Sequence, residues 1–176
     1  MTECHTCLGI VLVKIFADIN CPFCFAQHER LAEFDLLKDV EWCYVEHAPE
    51  LDSAANSPEQ LALLNEEYQL LCMRSKNLNT QKPDFCVNSR LAILSLISVQ
   101  KNVPDKVPAY RRAIYTAYWR EGRDISDPNV LQDIQLKLGM ICVDNLEESE
   151  QIQASYQKQW EYGGLDGRIP AMKDEQ

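Results

Sequence analysis

Cys21-Pro22-Phe23-Cys24 places two thiols three positions apart, where a β-branched apolar run stops and a helical pattern begins. Thiols at that spacing on the first turn of a helix can touch, so they can interconvert between a dithiol and a disulfide. A helix N-terminus carries roughly half a unit of positive charge, which favours a thiolate on the first cysteine. Proline suits the next position, because its missing N–H costs nothing in a first helical turn. The chemistry on offer is thiol–disulfide exchange, with Cys21 and Cys24 as the candidate catalytic pair.

Cys4-His5-Thr6-Cys7 is a second C-x-x-C, and together the pairs read C-x2-C-x13-C-x2-C, near a zinc-ribbon spacing. The thirteen intervening residues read as a continuous apolar strand, whereas a ribbon hairpin would turn midway through polar residues. No metal site is therefore expected. Cys4 and Cys7 could exchange with the first pair as a relay, take up adventitious metal, or do nothing, and doing nothing is the default. His28 follows Cys21 by two helical turns, about 10 Å of rise, and reads as a surface or packing histidine. His47, at a strand end, has no thiol partner in the sequence and reads likewise. Asp18 could accept hydrogen bonds beside the cysteines or be an ordinary strand-end acid; both readings stay open.

The elements that must hold this pair follow from the patterning. Ile10 to Ile19 is rich in Val, Ile and Phe and reads as a buried strand. Pro22 to Phe34 carries Phe25, Leu31 and Phe34 at helical spacing, and Val40 to His47 reads as a second strand closed by Pro49. The start is thus β-α-β, two parallel strands joined by a right-handed crossover. Ser57-Pro58-Glu59-Gln60 has the capping-box pattern and opens a helix to about Lys76. Further helices are expected over Asn88–Gln100, Pro108–Gly122, Asp127–Gly139 and Asn145–Tyr162. Tyr110, Tyr115, Tyr118 and Trp119 could line a ligand groove, but their spacing is read as packing.

At 176 residues and 46% hydrophobic content, the chain is one domain, or one with an insertion. The net charge of −10, with no opposing basic patch, excludes a nucleic-acid or anionic-membrane surface. No stretch approaches a membrane span. The acidic start before the short run Leu8–Val13, without a cleavage site, gives no expectation of a secretory signal. Eight cysteines, Cys4, Cys7, Cys21, Cys24, Cys43, Cys72, Cys86 and Cys142, include several at apolar positions where a free thiol behaves as a small hydrophobe. A reducing cytoplasm is the expected location.

Asp18-Ile19-Asn20-Cys21-Pro22-Phe23-Cys24 resembles the active-site entry of the DsbA-like thioredoxin group. Within it the likeness is to the FrnE-type branch, related to 2-hydroxychromene-2-carboxylate isomerases and kappa-class glutathione transferases. Val45-Glu46-His47-Ala48-Pro49 is similar to the end of that branch's second strand, and residues Tyr118 to Asp127 to the junction inside its helical insertion. Gly167-Arg168-Ile169-Pro170 resembles its cis-proline loop. The resemblance implies an α/β chain with a thioredoxin-like fold and a helical insertion domain. Residues 8–52 and 145–176 would form the thioredoxin-like parts and residues 53–144 the insertion.

The same resemblance implies that Cys21 is an exposed nucleophile that forms a mixed disulfide, which Cys24 resolves. Pro22, Phe23, Ile169 and Pro170 would contact substrate, with the backbone of Ile169 pairing with it as an added strand. An ordinary turn proline remains the alternative at Pro170. With no histidine between the cysteines, thiolate stabilisation should be weaker than in a C-P-H-C site.

The expected function is a thiol–disulfide oxidoreductase acting on protein or small-molecule thiols and disulfides, with no cofactor unless glutathione serves. A glutathione-dependent isomerase or transferase is the alternative, but members with that activity commonly lack one of the two cysteines. A non-catalytic thioredoxin-like module is the third reading. It arises because only six residues follow Pro170, where the family fold closes with a hairpin and a final helix. A truncated chain is therefore expected, the alternatives being completion by a second subunit, as in a homodimer, or a fold of only marginal stability. Three strands would leave an open edge and an uncovered apolar face.

Overall fold

Two short strands surround the cysteine motif. Val13–Ala17 (β1) leads into it, and Val40–Tyr44 (β2) lies parallel to β1, from Val13 opposite Val40 to Ala17 opposite Tyr44. The computed structural model describes residues 13–141, 146–165 and 167–174. Ile10 to Leu12, the Cys4/Cys7 pair, Cys142 and Asn145 lie outside them. Between β1 and β2 runs Pro22–Glu33 (α1), as the β-α-β reading requires. Four helices follow: Pro58–Arg74 (α2), Arg90–Asn102 (α3), Val107–Trp119 (α4) and Pro128–Lys137 (α5). Leu146–Tyr162 (α6) then leads to Ala171–Asp174 (β3), which pairs antiparallel with β1 to give the order β2-β1-β3.

The helix starts obey local rules. Ser57 Oγ accepts from Gln60 N at 3.2 Å while Gln60 Oε1 accepts from Ser57 N at 2.8 Å, so the capping box is formed. Asp127 caps α5 through Asn129 N at 2.8 Å. Gly139 stops α5 at φ 69°, a left-handed conformation that glycine adopts without a Cβ clash.

Side-chain alternation along the strands sorts two cores. Ile15, Trp42 and Tyr44 join Phe25 of α1, Leu96 of α3, and Tyr110 and Trp119 of α4 in one continuous cluster. Phe16, Cys43 and Val45 face the other way, against Trp160 of α6 and Ala171. This corrects the expectation of an uncovered apolar face. α6 carries Tyr156 and Trp160 four residues apart, and these two pack against the second face of the sheet, where Phe16, Cys43 and Val45 are fully buried. Among the described residues, no helix is long and apolar enough to cross a membrane.

β2 ends at Tyr44, three residues earlier than the pattern suggested. The reason is local: the backbone N–H of His47 leaves the ladder and donates to Asp18 Oδ2 at 2.9 Å.

Candidate active site

Cys21 occupies the cap position of α1 in an extended conformation, φ −85° and ψ 121°. Its Sγ accepts a hydrogen bond from the backbone N–H of Cys24 at 3.3 Å, the role a serine or aspartate usually fills. The sulfur therefore sits where the helix dipole and an unused N–H both favour negative charge. Cys24, one turn on, is fully buried. Burial, then the hydrogen bond to Cys21 and the charge of Cys21, push its pKa well above the ordinary thiol value. Cys24 is held as a thiol beside its partner, and both are free rather than joined.

The expectation of an exposed nucleophile is corrected, for Cys21 is only 3% exposed. The turn before it is tied inward. Asn20 donates from Nδ2 to the carbonyl of Val87 at 2.9 Å, fastening the loop to the segment that precedes α3. The α4 aromatics hold the same loop from beneath: Trp119 Nε1 donates to Ile19 O at 3.0 Å and Tyr115 Oη to Asp18 O at 3.4 Å. The stripe read as packing does pack, and it also fixes the backbone that leads to the nucleophile.

Asp18 is fully buried and its two oxygens work separately. Oδ1 accepts from Asn20 N at 3.4 Å, while Oδ2 takes both the backbone N–H and the Nδ1 of His47, each at 2.9 Å. Of the two readings left open for Asp18, hydrogen bonding beside the cysteines is therefore the one found. Burial opposes charge on His47, but the bond to Asp18, its negative charge, and the charges of Cys21 and Glu67 together raise the imidazole pKa above its ordinary value. His47 is thus a component of the site, contrary to the expectation of a bystander. The signal was available in the topology, because residues that follow two paired parallel strands emerge side by side. His28, by contrast, is packing and not surface. It is buried between Trp42 and Tyr115, with ring centres 5.7 and 5.1 Å away, and burial lowers its pKa.

Pro22 is buried and Phe23 half-buried, with the guanidinium of Arg74 5.6 Å above the Phe23 ring. The Ile169–Pro170 bond is cis. β3 pairs Ala171 with Phe16, so the next step of that register sets Pro170 level with Ala17, at the sheet end where Cys21 lies. Ile169 packs against the cluster that contains both cysteines.

A β-α-β unit opening on a capped C-x-x-C, with a cis-proline at the same sheet end, defines a thioredoxin-like protein. Residues 12–162 match the DSBA-like thioredoxin domain, and the chain belongs to that family. No curated protein matches it in sequence. Solved structures share the fold. A candidate protein disulfide isomerase of Nitrosomonas europaea superposes with TM-score 0.76 at 17% identity, covering 94% of this chain and 85% of that chain. The cytosolic disulfide reductase DsbM of Pseudomonas aeruginosa gives 0.65 at 14% identity, with 94% and 89% covered, and a second structure of DsbM contains GSH. A 2-hydroxychromene-2-carboxylate isomerase gives 0.57 at 16% identity, with 92% and 84% covered.

Proposed function

We propose that this protein is a thiol–disulfide oxidoreductase whose working pair is Cys21 and Cys24. The observation that carries the reading is the 3.3 Å hydrogen bond from Cys24 N to Cys21 Sγ at the N-terminus of α1. It sets one sulfur at the cap position, accepting a backbone N–H, and the second within a helical turn of it. In the reducing direction, the Cys21 thiolate attacks a substrate disulfide, forming one S–S bond and releasing one substrate thiolate. The Cys24 thiol loses its proton and attacks Cys21 Sγ, releasing the second substrate thiol and leaving a Cys21–Cys24 disulfide.

The order of events is built into the electrostatics. The charge of Cys21 is among the causes that hold the Cys24 pKa up, and that charge disappears once Cys21 is in a mixed disulfide. Cys24 becomes easier to ionise at the step that needs it. The Asp18–His47 pair holds beside the motif an imidazole whose protonated form is favoured by Asp18 and by Cys21, against the cost of burial. The cis-proline loop, with Ile169 and Pro170, offers a backbone edge to an extended substrate, alongside Pro22 and Phe23 at the helix start. Glutathione is a suitable small thiol for this cycle, in line with the GSH held by a DsbM structure of the same fold. A reducing compartment such as the cytoplasm suits this cycle, in line with the cytosolic location of the DsbM reductase of the same fold.

The test is catalysed disulfide reduction. Both Cys21→Ser and Cys24→Ser should abolish it. Turnover of a glutathione-linked small molecule that survives Cys24→Ser would instead indicate isomerase or transferase chemistry.

A further inference from the structure

A thiolate that attacks a disulfide must meet the incoming sulfur in line, yet Cys21 is 3% exposed and Asn20 before it is 7% exposed. Against them lies a strap, residues 85–88, which runs without helix or strand between α2 and α3. Side chains from elsewhere in the chain tie its backbone. Tyr118 Oη donates to Phe85 O at 2.9 Å. Asn56 holds Cys86 twice, accepting its N–H on Oδ1 at 2.7 Å and donating from Nδ2 to its carbonyl at 3.0 Å. Beyond Val87, Asn88 Nδ2 donates to Pro49 O at 2.9 Å. Cys86 and Val87 share one buried cluster with Cys21 and Cys24.

The bond between this strap and the motif runs from Asn20 Nδ2 to Val87 O at 2.9 Å. Only half of that amide is satisfied. Its Oδ1 is buried without a partner among the described residues. An unpaired buried acceptor costs at least as much as one neutral hydrogen bond contributes. Turning Oδ1 out to water therefore offsets the loss of the Val87 bond, and the closed arrangement is finely balanced. The anchors at Phe85, Cys86 and Asn88 do not involve Asn20, so they survive that movement.

We propose that Asn20 is the specificity-determining residue of the dithiol site, latching the strap against the motif so that Cys21 accepts slender, low-molecular-weight disulfides and is closed to protein disulfides. The proposal rests on the oxidoreductase reading above and names the substrate class for it. A short linear disulfide needs a small displacement beside Cys21 Sγ. A protein disulfide brings two flanking chains to the same sulfur, and needs residues 85–88 to part from Asn20.

The test compares alkylation of the reduced full chain by N-ethylmaleimide and by fluorescein maleimide, followed at each cysteine by peptide mass spectrometry. Both reagents attack through the same group, so thiolate reactivity cancels in their rate ratio and width remains. The exposed Cys72 is the internal reference. In the unaltered protein, the preference of Cys21 for the slender reagent should exceed that of Cys72. Asn20→Ala should reduce that preference by about fivefold, the equilibrium factor of one neutral hydrogen bond. The buried Cys43 should stay unlabelled in both proteins. In parallel, the unaltered protein should reduce 2-hydroxyethyl disulfide faster than insulin, and Asn20→Ala should narrow the gap. Equal preferences at Cys21 and Cys72, an undiminished preference in Asn20→Ala, labelling of Cys43 in that variant, or faster reduction of insulin would each overturn the latch. If labelling follows expectation and neither disulfide is reduced, the latch stands and the oxidoreductase reading falls. Should Asn20→Ala fail to fold, Asn20→Asp, which keeps the shape and loses the donor, should show the same reduced preference.

Discussion

Asp18 and His47 show how one buried carboxylate organises a reactive end of a sheet. The carboxylate is 29 residues from the histidine in sequence, so no local pattern joins them. The parallel pairing of β1 with β2 does. The cysteines themselves were legible, because their chemistry is written in spacing and in the helix start. The burial of Cys21 was not, since it depends on Asn20 reaching a carbonyl 67 residues away. Because the His47 pKa is raised above its ordinary 6.5, the pair stabilises the fold fully below that pH and loses its contribution as pH rises through the folded value. His47→Gln should therefore destabilise by about 2 kcal/mol in mildly acidic solution, one charge-assisted hydrogen bond, and by less in alkaline solution. Denaturant melts at the two conditions measure the difference. The same variant should slow alkylation of Cys21 at neutral pH, and an unchanged rate would remove His47 from the proposed chemistry.

At the scale of elements, α1 is held to α4 by an ion cluster as well as by apolar contact. Glu29 of α1 meets Arg120 at 2.6 Å, Arg112 at 3.3 Å and its neighbour His28 at 3.1 Å. The hydrogen bond from His28, with burial opposing and the two arginines assisting, lowers the Glu29 pKa from 4.5 to about 2. A depressed carboxylate contributes stability that is complete above its unfolded value and lost as pH falls. Glu29→Gln should thus cost about 2 kcal/mol at neutral pH, and the gap from the unaltered protein should close between pH 4.5 and about 2. Acid unfolding curves of the two proteins check both the size and the window. The helices that carry this cluster were readable from caps and proline positions, with ends displaced by a few residues. The placement of α6 over the second sheet face was not, because Tyr156 and Trp160 one turn apart do not say which surface they will cover.

The larger of the two cores is shared between sheet and helices. Ile15 and Trp42 of the strands belong to the same cluster as Leu96 and Trp119 of the helical segment. Leu96 is fully buried, so Leu96→Ala should destabilise by about 3 kcal/mol through lost burial and an unfilled cavity. With a shared core, the loss should move a single transition, seen at the same denaturant concentration by helical circular dichroism and by tryptophan fluorescence. Two separated transitions would mean that the helical segment folds apart from the sheet.

The claim that Cys21 attacks and Cys24 resolves is tested most directly by trapping the intermediate. Cys24→Ser, treated with glutathione disulfide and mapped by peptide mass spectrometry, should accumulate a glutathione adduct on Cys21. The unaltered protein should carry an internal Cys21–Cys24 disulfide instead. A Cys21 left unmodified in Cys24→Ser, with adducts confined to other cysteines such as the exposed Cys72, would contradict the account.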